Sequence, residues 1–152
     1  MHMNAAHWHL LLNHLPVLGT LFSAILLAVA IFLKNAQFQR VSLVFLLCCA
    51  LAAIPVYLTG NAAEGIVEKL PEASEEIIEA HERMGTITLI VMQLLAFASV
   101  AVLFAWRKAP EPSPRAALAV LLFALICTAL AGYTANLGGQ VRHTEIRPTA
   151  SR

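Results

Sequence analysis

Four stretches of this chain, Leu15–Leu33, Val41–Thr59, Met84–Trp106 and Ala116–Ala135, contain no Lys, Arg, Asp or Glu. At about 1.5 Å per helical residue each can cross about 30 Å of hydrocarbon, where only helices and closed barrels satisfy their own backbone. The fold class that follows is all-α, a four-helix transmembrane bundle forming a single integral membrane domain over residues 1–152. Composition agrees: 59% hydrophobic residues, 12% charged residues and a mean hydropathy of +0.75 leave about half the charge of a soluble domain.

Four spans put both termini on one side. The links Lys34–Arg40 and Arg107–Arg115 face the other, with Lys34, Arg40, Arg107, Lys108 and Arg115 close to helix ends. The positive-inside tendency assigns those links to the cytoplasm and both termini to the periplasm, as expected of a multi-pass protein of the bacterial inner membrane. The start, Met1-His2-Met3-Asn4-Ala5-Ala6-His7, lacks a basic n-region and a small-residue cleavage pattern, so the first helix is expected to stay as an anchor. A net charge of +1 and the lack of basic blocks interleaved with aromatics give no support to nucleic-acid binding.

The polar insertion, residues 60–83, carries Glu64, Glu68, Glu72, Glu75, Glu76, Glu79 and Glu82 against Lys69 and Arg83, an acidic cap on the periplasmic side. Ser74 is placed to cap a helix that runs through His81 into the third span, with Glu75 and Glu76 complementing its dipole and Pro71 stopping the chain before it. Pro16 predicts either a helix capped by Asn13 or a longer helix kinked there. Gly138 and Gly139 are expected to end the fourth helix in a tight turn that folds His143 back over the bundle.

The halves also resemble each other. His14-Leu15-Pro16-Val17-Leu18-Gly19-Thr20 opens the first span as His81-Glu82-Arg83-Met84-Gly85-Thr86 opens the third, and Tyr57-Leu58-Thr59-Gly60-Asn61 is answered by Tyr133-Thr134-Ala135-Asn136. Two pseudo-repeated helical hairpins would bring His14 and His81 to one surface. A haem iron needs an imidazole from each of two facing helices and a flat apolar slot. His14 and His81 are the expected ligands of a non-covalent b-type haem, with Gly19 and Gly85 opening the slot and Asn61 and Asn136 orienting an imidazole or a propionate.

Other chemistries use the same residues. His7, His14, His81 and His143 could hold copper or zinc, with Met84 beside them. Cys48, Cys49 and Cys127 lie in mid-span as small apolar groups, and with no CxxCH motif a covalent c-type haem is not expected. Ionisable relays within the spans and a nucleophile elbow are both missing, so transport and hydrolysis find no support and the chain is not expected to be an enzyme. Gln93, the strongest polar group at depth, is expected to bond between helices. A third possibility is a non-catalytic membrane scaffold whose glycines only pack helices.

Asn13-His14-Leu15-Pro16, the segment Gly60 to Val67, His81 and the closing Leu137-Gly138-Gly139-Gln140-Val141-Arg142-His143 together resemble a bacterial family of four-helix predicted membrane proteins known only as a domain of unknown function. The family pattern opens with His-Pro and then His-x-Pro. The first element has no counterpart here, where Trp8 and Leu10 follow the histidines, so the resemblance does not assign His7 or His9 as ligands. It implies a membrane partner of redox modules such as cytochrome c or Rieske domains. The expected function is electron transfer with a periplasmic redox protein, alone or within a larger membrane redox complex, through the acidic cap.

Overall fold

The computed structural model describes residues 3–108 and 113–147. Outside them lie His2, the middle of the second link and the tail after Arg147. The described residues fold into α1 (Ala5–Leu12), a π-helical turn (Leu15–Gly19), α2 (Thr20–Phe32), α3 (Ala36–Val67), α4 (Glu75–Ala105) and α5 (Pro114–Arg142). Single 3-10 turns follow at Trp106–Lys108 and Thr144–Ile146. Four helical runs, Ala5–Phe32, Ala36–Val67, Glu75–Ala105 and Pro114–Arg142, are long and apolar enough to cross a membrane.

Side chains buried between helices are mostly small: Ala24, Ala30, Ala50, Ala96, Ala117, Ala124 and Ala131 fill the seams around Leu27, Leu43, Leu46, Met92 and Leu95. Small residues let helix backbones approach, which matters in lipid because apolar contact with a neighbouring helix gains little over contact with acyl chains. Large apolar groups point outward, with Phe32 84% and Phe97 72% exposed. In water such a surface would aggregate, and in a bilayer it is solvated.

Several polar groups at depth are satisfied across the seams, whereas Ser99 Oγ and Trp106 Nε1 are buried without a hydrogen-bond partner among the described residues. Gln93 Nε2 donates to Ala50 O at 3.0 Å, tying α4 to α3 as expected. Thr88 and Thr134 join their hydroxyls at 2.8 Å between α4 and α5. At the end of the bundle that carries the two links, Arg40 stacks on Trp106 with Cζ 4.8 Å from the ring centroid, and Arg107 on Phe104 at 4.4 Å.

Helices overrun the apolar stretches that nominated them. α3 continues past Gly60 to Val67, and α5 runs through Gly138 and Gly139 to Arg142, so these glycines do not end it. Glycine stops a helix when the chain must turn left-handed, and no glycine here has positive φ. Left-handed backbone falls instead at Lys34, φ 52°, and Glu72, φ 68°. Ser74 does precede α4, yet its side chain makes no capping bond. Around Pro16 the first span does not restart at a capped His14. The ring has no N–H for the α-helical ladder, and the chain widens into a π-turn between α1 and α2.

Candidate functional site

The paired imidazoles belong to His9 and His81. Their ring centroids stand 6.1 Å apart, with planes at 83°. His9 comes from α1 and His81 from the second turn of α4, both at the end of the bundle that holds the termini.

Each ring is held in the same way by the helix it leans on. His9 Nδ1–H donates to Val56 O at 2.9 Å, and His81 Nδ1–H to Thr134 O at 3.0 Å. A carbonyl only accepts, so each Nδ1 carries the proton; the other nitrogen, Nε2, is left as a lone-pair donor when the ring is neutral. Four residues beyond each carbonyl is a glycine, and the ring lies against it. A β-carbon at Gly60 would stand 3.0 Å from His9 Cε1, and one at Gly138 2.8 Å from His81 Cε1. Both imidazoles reach the bundle interior because those side chains are missing. Neither Nε2 has a hydrogen-bond partner among the described residues.

The acceptors differ in one respect. Val56 O also accepts from Thr59 Oγ1 at 2.9 Å, so His9 shares its anchor. Thr134 is itself tied down, its hydroxyl meeting Thr88 at 2.8 Å and the carbonyls of Leu130 and Met84 at 2.9 and 3.4 Å.

The expected partner of His81, His14, lies elsewhere: it is exposed, and its Nδ1 donates to Leu10 O of its own helix at 3.1 Å. Gly19 packs on Cys49 Sγ, which a β-carbon there would meet at 2.6 Å, while Gly85 faces open space. Asn61 is exposed on α3, and Asn136 accepts from Gln140 at 2.7 Å on the surface of α5. His7 bonds the cap residue Asn4 at 2.7 Å. His143 pairs with Glu145 at 2.9 Å. That contact, together with a bond to its own backbone that contributes more, holds the Glu145 carboxyl below its usual range. Among the described residues no three His, Cys, Asp or Glu side chains gather as a metal site, so His7, His14, His81 and His143 do not converge.

The acidic cap frames two grooves between α3 and α4. One, about 470 Å³, is lined by Tyr57, Asn61, Glu64, Glu79, Glu82, Arg83 and Thr86, with Tyr57 Oη and Thr86 Oγ1 bonded at 3.2 Å; the other, about 530 Å³, adds Glu68 and Glu75. Neither is lined by the histidine pair.

His9 escaped the sequence reading because the likeness of the two halves was set on His14 and on the Tyr and Asn residues. The contacts follow a different register, pairing Val56 and Gly60 with Thr134 and Gly138. The available signal was glycine: Gly60 and Gly138 lie on the two helices that do not carry the pair.

No curated protein and no solved structure matches the chain. A family model does match, over residues 6–145, and its description is a predicted membrane protein. That range takes in all four apolar helices and both histidines of the pair, and on this match the chain belongs to the family of predicted membrane proteins DUF2231.

Proposed function

We propose that this membrane protein holds a b-type haem between His9 and His81, at the periplasmic end of the bundle, and exchanges electrons with a basic redox protein such as a cytochrome c. The supporting observation is the spacing of the rings. Two imidazoles on opposite sides of one metal ion, with bonds of about 2 Å and about 1 Å more from nitrogen to ring centre, stand about 6 Å apart. The centroids here are 6.1 Å apart, and both Nδ1 atoms are already engaged, so the nitrogens left to bind are the Nε2 pair.

Two imidazoles with no third donor beside them among the described residues leave a metal's remaining positions to be filled from elsewhere. A porphyrin fills four of them. When bound, the group would supply one-electron chemistry, while His9 and His81 would hold it through Nε2, each ring fixed by its Nδ1 bond. The seven glutamates of the cap give the same end of the bundle an acidic face, which steers a basic partner.

A single copper ion on the same two histidines is the second reading. A lone ion needs no slot between the helices, and both grooves described above lie away from the pair. Zinc, which takes three or four protein ligands, is less well served.

The test is the absorbance of the full chain purified in detergent. Sharp visible bands that appear on reduction, and that H9A and H81A each weaken or shift while H14A leaves them in place, support haem. A colourless protein that carries about one copper per chain, lost in H9A and H81A, moves the reading to the metal ion. A colourless, metal-free protein overturns both.

A further inference from the structure

The end of the bundle that carries the two links has a one-sided charge. In sequence Lys34, Arg40, Arg107, Lys108 and Arg115 stand there against the single carboxylate Glu111, which lies outside the described residues. Arg40 and Arg107 are exposed, and neither pairs with a carboxylate among the described residues. Each lies instead on an aromatic ring at the end of α4, Arg40 of α3 on Trp106 and Arg107 on Phe104. Stacking engages the flat face of a guanidinium and leaves the N–H donors in its plane unspent. Trp106 is 3% exposed, a fixed floor beneath Arg40, and its own Nε1–H has no acceptor among the described residues. Donors are in surplus at this rim.

An apolar track leads to it. Phe97, Val100 and Phe104 are exposed and fall three and four residues apart on α4, so they form one outward stripe that ends under Arg107. We infer that Arg40 and Arg107 bind the phosphate of an anionic phospholipid whose acyl chain lies along this stripe. The guanidinia are already held by their rings, so little side-chain freedom is lost when the phosphate arrives. A free inorganic anion would use the arginines and leave the stripe unused. A zwitterionic lipid would bring an ammonium group among five cations, whereas an anionic headgroup brings acceptors and no positive charge. The site is independent of the histidine pair and of any cofactor there.

Trp8→Phe leaves Trp106 as the one tryptophan of the chain, so its fluorescence reports on this rim. Short-chain phosphatidylglycerol is titrated into the full W8F chain in detergent, with phosphatidylcholine of the same chain length and inorganic phosphate as parallel titrants. The expected result is a saturable change of emission, with phosphatidylglycerol binding at least about fivefold more tightly than phosphatidylcholine, and no response to phosphate. In the same background R40Q and R107Q should each weaken phosphatidylglycerol about fivefold, the effect of losing one cation at a membrane surface. R115Q removes a charge from the same end and should cost less than about twofold, and R40K, which keeps the charge without the planar stack, about threefold. Native mass spectrometry of the chain extracted from membranes gives a second reading: anionic lipid retained by the wild type should be lost when Arg40 and Arg107 are both replaced by Gln.

Equal losses in R40Q, R107Q and R115Q would reduce the rim to diffuse charge and overturn the site. So would equal affinity for the two lipids, an emission change with inorganic phosphate alone, or anionic lipid retained by the double variant. Should R40Q fail to fold, R107Q on the exposed turn carries the same comparison with R115Q.

Discussion

His81 lies on Gly138 so closely that a β-carbon there would come within 2.8 Å of Cε1, 3.3 Å of Nδ1 and 3.4 Å of Nε2. Gly138→Ala therefore forces the ring off its carbonyl. Helix propensity alone would favour alanine by about 1 kcal/mol, while overpacking costs about 1–3 kcal/mol. The expected outcome in detergent is a net loss of about 1 kcal/mol in unfolding stability. Gly85→Ala, which meets nothing within 4 Å, should be neutral or stabilising in the same assay. Equal effects would show that the imidazole does not depend on the glycine.

Thr88→Val removes the hydroxyl that meets Thr134 at 2.8 Å between α4 and α5. Interhelical hydrogen bonds in lipid average about 0.6 kcal/mol, so a loss of about 0.5–1 kcal/mol in a reversible unfolding titration is expected. Thr134 keeps its bond to Leu130 O, so the His81 anchor should survive the change.

Arg147 gathers three carbonyls, donating through Nε to Gln140 O at 2.9 Å and through Nη2 to Glu72 O at 3.0 Å and Val141 O at 3.2 Å. Two of these belong to the last turn of α5, whose final carbonyls have no intrahelical partner, and the third fastens the turn before α4. Arg147→Ala should raise amide exchange and protease cleavage across residues 68–74 severalfold without unfolding the bundle. Unchanged exchange there would mean that Glu72 holds its position without the clasp.

Glu145 gives the pH dependence of the same tail. Its carboxyl is held below its ordinary value of 4.5 by its own backbone and by His143. A carboxylate depressed in the folded state contributes stability that is present above its unfolded value and lost as pH falls through the lowered one. The turn Thr144–Ile146 should therefore stay ordered at neutral pH and fray in acid below about pH 4.5, read as the exchange rate or backbone chemical shifts of those residues. Glu145→Gln should remove that acid-dependent step while leaving α5 intact.

Lys34 closes α2 with φ 52°, a region that costs a residue with a β-carbon about 1–2 kcal/mol. Lys34→Gly should raise the unfolding midpoint, provided the link keeps its present turn. A lowered midpoint would show that the side chain contributes more than the backbone strain removes.

Much of this architecture is legible in the amino-acid order because lipid permits so few solutions. The four uncharged runs, the acidic insertion and the helix that carries His81 into the third span all follow from charge, length and period. What could not be read there is the phase of short segments at the rim. Whether His9 or His14 faces the interior depends on how a proline ring deforms the turn that follows them, and on whether a distant helix offers bare backbone for the ring to rest on. Gly138 reads locally as a helix stop. Its role is visible only from α4, fifty-odd residues away in sequence, because it concerns the room left for another residue's side chain.

Beyond the apolar layer, α3 and α4 face one another with Glu64 and Glu68 on one wall and Glu75, Glu79, Glu82 and the single basic group Arg83 on the other. Carboxylates that outnumber the one guanidinium push the walls of the cleft apart with a force that dissolved electrolyte weakens over about 10 Å at 0.1 M. The protruding hairpin is in effect a spring tuned by ionic strength. It should stand splayed in dilute buffer and draw together in brine, and spin labels at its two tips would register the change as a shorter separation.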